Sequence, residues 1–317
     1  MIGFDIGGTK CSVSFGREEN GEFKIIDKRV FPTEKGADPY SVIDKMYNLA
    51  REMTDETSII GISCGGPLDS AKGVIIAPPN LPSFVNVEIV DYLKNKYGAN
   101  AALQNDANAC ALAEWKFGAG KGTQNMIYIT FGTGLGAGLI LNGRLYEGTC
   151  GCAGEIGHIR LEKYGPVGYG KAGSFEGFCS GAGIAELGKM LAREKLQMGG
   201  RVSYCKDLSE LDTINAKIIA ESATAGHVDA NEVYALCGKK LGEGLAVLID
   251  ILNPECIVIG SVFERSENLI RPEMEKALKR EALSYSREVC RVLPAKLEDN
   301  IGDMAALAVA SGIMGGR

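Results

Sequence analysis

Residues 2–10 read Ile-Gly-Phe-Asp-Ile-Gly-Gly-Thr-Lys. Ile2, Phe4 and Ile6 alternate as the apolar face of a short strand, and Asp5 arrives where that strand gives way to glycine. Gly7 and Gly8 permit positive φ and a close approach of backbone to a ligand. Thr9 and Lys10 add a hydroxyl and a cation. Successive amides in such a turn form an anion-binding concavity, and a carboxylate beside it suits a hydrated Mg²⁺. The same residues also make an ordinary hairpin turn beside an incidental acid, and this stretch alone leaves both readings open.

Outward from this turn the pattern is α/β. Cys11–Phe15 and Phe23–Phe31 read as further strands, and Ser41–Met53 has helical spacing. Ser58–Ser63 is a β-rich run ending in Cys64-Gly65-Gly66-Pro67, a turn that Gly and Pro dictate. Pro78-Pro79-Asn80-Leu81-Pro82 reads as a rigid loop that either presents Asn80 to a ligand or merely connects. A strand at 101–103 leads into Gln104-Asn105-Asp106, and 107–117 is rich in helix formers. Asn105 and Asp106 therefore fall at a helix N-terminus, as N-caps or as a carboxylate able to take a proton from a hydroxyl.

Gly118–Gly122 reads as a hinge or linker. The motif then repeats: the strand Asn125–Phe131 opens into Gly132-Thr133-Gly134-Leu135-Gly136-Ala137-Gly138, followed by Leu139–Leu141 and an Asn142-Gly143 hairpin signal. Glycine at alternate positions bares one face of a strand, which serves either phosphate approach or packing. Further on, Ala182–Lys195, Asn231–Leu252 and Arg265–Leu283 have helical spacing, and Cys256–Ile259 reads as a buried strand.

The chain has 317 residues, 45% of them hydrophobic, enough for two packed domains. The net charge of −6 offers no basic footprint for nucleic acid. No apolar run of bilayer length is present and no secretion signal is visible, so no membrane role is expected. The ten scattered cysteines lack a C-x-x-C pair and read as free thiols of a cytoplasmic protein.

Taken in order, Asp5-Ile-Gly-Gly-Thr-Lys10, Gly65-Gly-Pro67, Asn105-Asp-Ala-Asn108, Gly132-Thr-Gly-x-Gly-x-Gly138, Gly154-Glu-Ile-Gly-His158, Asn253-Pro-Glu-Cys-Ile-Val-Ile-Gly260 and Ile301-Gly-Asp resemble the ROK family of repressors and sugar kinases. The resemblance implies an α/β fold of two RNase H-like domains, of the actin/hexokinase ATPase type, with an interdomain cleft. The expected division is 1–117 plus 300–317 against 118–299. It implies ATP and Mg²⁺ bound by Asp5, Gly7, Gly8, Thr9, Lys10, Gly132, Thr133, Gly134, Gly136 and Gly260. Asp106 would be the general base toward the 6-hydroxyl of a hexose. Gly66, Asn80, Asn105, Glu155, His158 and Glu176 would hold the sugar. N-acetylmannosamine or another N-acetylhexosamine is an alternative substrate, and relatives commonly form homodimers. A repressor of this family carries a helix-turn-helix before the first motif; four residues precede Asp5 here, so a kinase is expected. A sugar-binding module without catalysis is the remaining reading.

Two departures stand out. Relatives carry a zinc-binding Cys-x-Cys-Gly-x-x-Gly-Cys-x-Glu segment, whose cysteine positions fall here on Val167, Tyr169 and Ser174. No structural zinc of the family type is expected, and Cys150, Cys152 and Cys179 with His158 stand open as a substitute set. Gly260-Ser261 replaces the usual Gly-Gly.

Overall fold

A computed structural model describes residues 1–19 and 22–314. In chain order, strands β1 (Ile2–Ile6), β2 (Lys10–Glu19) and β3 (Glu22–Pro32) precede helix α1 (Pro39–Met53) and β4 (Ile59–Cys64). A small hairpin of β5 (Leu68–Asp69) and β6 (Val74–Ile75), then α2 (Ile89–Tyr97), β7 (Asn100–Asn105) and α3 (Asp106–Phe117) follow. Next come β8 (Met126–Phe131), β9 (Leu135–Leu141), β10 (Arg144–Tyr146), a hairpin of β11 (Val167–Gly168) and β12 (Lys171–Ala172), α4 (Phe175–Phe178) and α5 (Gly181–Gln197). The chain closes with α6 (Ala216–Thr224), α7 (Val228–Leu252), β13 (Cys256–Ile259), α8 (Val262–Glu281), α9 (Ser284–Val289), β14 (Arg291–Pro294) and α10 (Ile301–Met314). No helix among the described residues is long and apolar enough to cross a membrane.

The chain divides into two compact units, 1–124 with 138–153 and 296–317, and 125–137 with 154–295. The expected boundaries differ from these in assigning 118–124, 138–153 and 296–299 to the second unit. Packing within the first unit gives the reason. A Cβ added at Gly138 would lie 2.5 Å from Ala111 Cβ and 2.7 Å from Ala107 O, so this part of β9 rests directly on α3. Gly118–Gly122 is a fixed turn rather than a free hinge: Glu114 Oε2 accepts from the Ala119 amide at 2.7 Å, and its Oε1 accepts from the Lys296 and Leu297 amides at 2.9 and 2.8 Å.

The first unit contains a sheet of order β3-β2-β1-β4-β7, in which β1, β4 and β7 run parallel. Strand alternation sends Ile2, Phe4 and Ile6 into one core with Val42, Ile43, Met46 and Leu93 of α1 and α2. Gly3 and Asp5 face α10 instead. That helix lies almost on the strands: a Cβ at Gly61 would stand 2.0 Å from Ala306 O, and one at Gly3 would stand 3.0 Å from Ala306 Cβ. Asp303 through Ala310 are all buried.

The second sheet has the order β10-β9-β8-β13-β14, with β8, β13 and β14 parallel. The Asn142-Gly143 signal holds: both residues have positive φ, 52° and 70°, and join β9 to β10 with Leu141 opposite Arg144. In the second unit α7 packs against α8 through bare glycines; a Cβ at Gly238 or Gly242 would be 2.3 Å from a carbonyl of α8.

Candidate active site

Ligands of open parallel sheets bind beyond the carboxyl ends of the strands, and in the first unit the predicted residues gather there. Register pairs Asp5 with Ser63 and Ser63 with Gln104, so the ends of β1, β4 and β7 are level. The Gly7–Lys10 turn leaves β1, the Gly65-Gly66-Pro67 turn leaves β4, and Asn105 and Asp106 leave β7. Gly66 lies against Asn105: a Cβ there would be 3.3 Å from Asn105 Nδ2. Asn105 caps α3 by accepting from the Ala107 amide at 3.0 Å, and Asp106 Oδ1 accepts from the same amide at 2.8 Å. The capping and proton-accepting readings of this pair are therefore compatible.

The glycines of the first turn serve a purpose other than the one their type suggests. Neither Gly7 nor Gly8 has positive φ. Their bareness is steric: a Cβ at Gly7 would be 2.9 Å from Lys10 O, and one at Gly8 would be 2.6 Å from Asn80 Cβ and 2.8 Å from Asn80 O. The proline-bounded loop thus sets Asn80, exposed, directly against the turn. The turn is closed by the Gly7 amide donating to Lys10 O at 3.1 Å and by Thr33 Oγ1 donating to Gly7 O at 2.6 Å. Thr9 and Lys10 are exposed beside it.

Asp5 is half-buried with Gly302 of α10 against its carboxylate. Burial, with the Asp303 and Asp106 carboxylates, raises it to about 6, against the opposing pull of Lys10 and Lys28. Asp303 is itself buried and satisfied: Ser12 Oγ donates to its Oδ1 at 2.7 Å and Lys28 pairs with its Oδ2. Asp303 acts beside Asp5 from 298 positions away, and sequence spacing carried no sign of that role beyond its place in the Ile301-Gly-Asp motif. Asp106 is exposed as a residue, yet the protein packed around its carboxylate desolvates it and moves it above the usual range.

In the second unit the parallel ends of β8 and β13 carry the other glycines. The Gly132 amide donates to Gly134 O at 3.1 Å, and the Gly181 amide at the start of α5 donates to Gly132 O at 2.8 Å. Gly260 donates to Ile129 O at 3.1 Å and is buried. Ser261 takes φ 62° and ψ −109°, a conformation that favours glycine. Thr133 is exposed, and Gly136 lies within β9. Glu176 Oε2 accepts from the Leu135 amide at 3.0 Å and sits 2.7 Å from where a Gly134 Cβ would be. One oxygen of Glu176 is thus engaged in holding the glycine turn. Glu155 and His158 are exposed at the two ends of a single 3₁₀ turn, whose His158 amide donates to Glu155 O at 3.2 Å.

The segment after His158 keeps its shape through hydrogen bonds. Tyr169 and Gly170 have φ of 44° and 75° and turn β11 onto β12. Buried Ser174 caps α4 by accepting from the Gly177 amide at 3.1 Å. Lys171 Nζ donates to His158 O at 2.6 Å. Cys179 is buried and its thiol donates to Cys237 O at 3.5 Å, while Cys150 and Cys152 are exposed. Among the described residues no group of three or more His, Cys, Asp or Glu is placed to hold a metal.

The sequence pattern of the ROK family matches residues 1–312. The chain is 29% identical to the glucokinase of Streptomyces coelicolor over 98% of this chain and 96% of that protein. A ROK family glucokinase from Streptomyces griseus, solved in complex with glucose and AMPPNP, superposes with a TM-score of 0.74 at 28% identity, over 96% of this chain and 97% of that one. The fold is that of the actin/hexokinase ATPases. The chain is also 26% identical to the xylose repressor of Caldicellulosiruptor bescii, over 85% of this chain and 66% of that protein.

Proposed function

The chain belongs to the ROK family, and from that premise we propose that it is an ATP-dependent sugar kinase acting on the 6-hydroxyl of a hexose or N-acetylhexosamine. The observation that carries the proposal is the meeting, at the level ends of β1, β4 and β7, of a closed glycine turn, the desolvated acid Asp5 and the helix-capping Asn105-Asp106 pair. Phosphoryl transfer asks the protein mainly for positioning and charge. Asp106, an exposed residue whose proton affinity is raised by desolvation, takes the proton of the attacking hydroxyl. Asn105 and Asn80 in the first unit, and separately Glu155, His158 and Glu176 in the second, are of the types that donate to and accept from sugar hydroxyls. Gly66 keeps the space in front of Asn105 clear. In the first unit the Gly7–Lys10 turn, and in the second Gly132, Thr133, Gly134, Gly136 and Gly260, are each suited to nucleotide phosphates, and Asp5 would hold Mg²⁺, which neutralises phosphate charge when bound.

Coupled ADP release over glucose, mannose, fructose and N-acetylmannosamine tests the proposal and names the sugar. Turnover with at least one of them is expected. The likeness to a xylose repressor favours one competing reading, a sugar-responsive regulator. Sugar binding without ADP release across the panel would establish that reading instead.

A further inference from the structure

Behind Asn105 and Asp106 runs a polar chain that the proposed reaction does not itself use. Gln104, on the last turn of pleat in β7, is buried. Its Oε1 accepts from the Asn105 backbone amide at 2.8 Å and from Asn108 Nδ2 at 3.2 Å. Its Nε2 donates to Glu147 Oε1 at 3.1 Å, and that oxygen also accepts from Ser70 Oγ at 2.6 Å. The members come from four places in the first unit: the loop after β5, the end of β7, α3, and the segment after β10. A buried strand end asks only for an apolar side chain. Glutamine here does more, because its planar amide is fixed at both ends. Ser70 follows the same Gly65-Gly66 turn that lies against Asn105, so the chain ties that turn to the strand carrying the acid.

We infer that Gln104 and Glu147 are positioning residues for the proposed phosphoryl transfer, holding the Asn105–Asp106 pair in one orientation. The inference rests on the kinase reading. Asp106 is the first residue of α3, and its carboxylate is aimed by the main chain entering the helix. The amide that Gln104 holds is the one immediately before that entry. Glu147 keeps the Gln104 amide from rotating, because its oxygen is the acceptor for Nε2.

The test compares Gln104→Met, Glu147→Leu, Glu147→Gln and the double variant Gln104→Met/Glu147→Leu in the whole protein. Gln104→Met and Glu147→Leu are expected to lower kcat roughly tenfold to a hundredfold while sugar KM moves less than about threefold, since misplacing a reacting group costs rate more than binding. Glu147→Gln keeps an acceptor for both Ser70 and Gln104 and should restore most of the kcat. The double variant should be no worse than Gln104→Met alone, because one unit is being broken twice. Exchange of the Asn105 amide with solvent should quicken in Gln104→Met whether or not the enzyme turns over. Wild-type kcat in Gln104→Met, losses that multiply in the double variant, or a Glu147→Gln defect as deep as Glu147→Leu would each overturn the inference. A wild-type protein that releases no ADP with any sugar would remove the kinase reading by itself, and Gln104 would then be judged by the exchange rate, where no change overturns its hold on Asn105.

Discussion

At residues 7–10 the glycine turn rests on rigid main chain, whereas at 132–135 it rests on the end of a flexible side chain. Gly8 meets the backbone and Cβ of Asn80, and Gly134 meets only the carboxylate tip of Glu176. Their electrostatic settings differ as well. The first turn follows an acid crowded by two others, while the second is bordered by amides of α5 and the strained Ser261. Two turns of one sequence type therefore separate two tasks. The first is held hard against main chain beside crowded acids; the second has some give and borders a single carboxylate, that of Glu176.

The largest expected effect lies on the charged side. Asp106→Asn should lower kcat by roughly 10²- to 10⁴-fold, the usual worth of a general base, while thermal unfolding and sugar binding stay close to wild type. A folded variant with near-native kcat would remove Asp106 from the chemistry. The steric contrast comes next. Gly8→Ala is expected to cost about 2–3 kcal/mol, as overpacking against fixed backbone does. Gly134→Ala should cost about 1–2 kcal/mol, because Glu176 can move aside only by giving up its bond to the Leu135 amide. Urea unfolding of both variants measures the difference, and equal losses would break the distinction between the turns.

The acid at β1 sharpens the comparison through pH. Asp5 titrates near 6 in the folded chain against 3.8 as its ordinary value. Between those values the folded protein holds a proton that the unfolded chain has released, so stability falls as pH rises through that window and stays lower above it. Asp5→Asn is expected to raise stability at pH 7 by about 1–3 kcal/mol and to flatten the profile between pH 4 and 6. Denaturant titrations at pH 4, 5, 6 and 7 check both. A variant no more stable than wild type at neutral pH would show that Asp5 carries no penalty. The smallest effect concerns the second turn: Ser261→Gly should gain about 1 kcal/mol by relieving the backbone at φ 62°, read as a rise in the unfolding midpoint.

What the sequence disclosed follows the range of the forces involved. Asn142-Gly143 was legible because a two-residue turn is settled by the φ values its own residues tolerate. Cys256–Ile259 was legible because a short apolar run bounded by Asn-Pro and Gly has few other uses. The position of Asp5, Asn105 and Asp106 at strand ends was legible because each sits at the junction of a strand with a turn or helix, where local chemistry is most visible. The purpose of the glycines was less so. Gly7 and Gly8 read as allowing positive φ and close approach to a ligand, but neither has positive φ, and what they avoid is Lys10 O and Asn80, which a distant loop contributes. Gly138 fell in a run that suggested phosphate approach, and it proves to make room for α3. The Gly118–Gly122 turn read as a linker because Glu114, which fixes it, binds amides 182 and 183 positions further along. Glu147, Gln104 and Ser70 are likewise joined across 43 and 77 positions, distances over which a single sequence gives no pairing signal.

The way α10 lies on β1 and β4 bears on how the chain matures at the ribosome. Gly3 and Gly61 are cut to fit residues around 306, so a helix synthesised after most of the second unit seals a sheet begun before it. During the interval when 154–295 are being made, one side of that early sheet has no cover of its own. Nascent chains of this design should attract chaperones to the Gly3–Gly61 side until residue 310 has cleared the exit tunnel, and the second unit has the opportunity to fold before the first is finished.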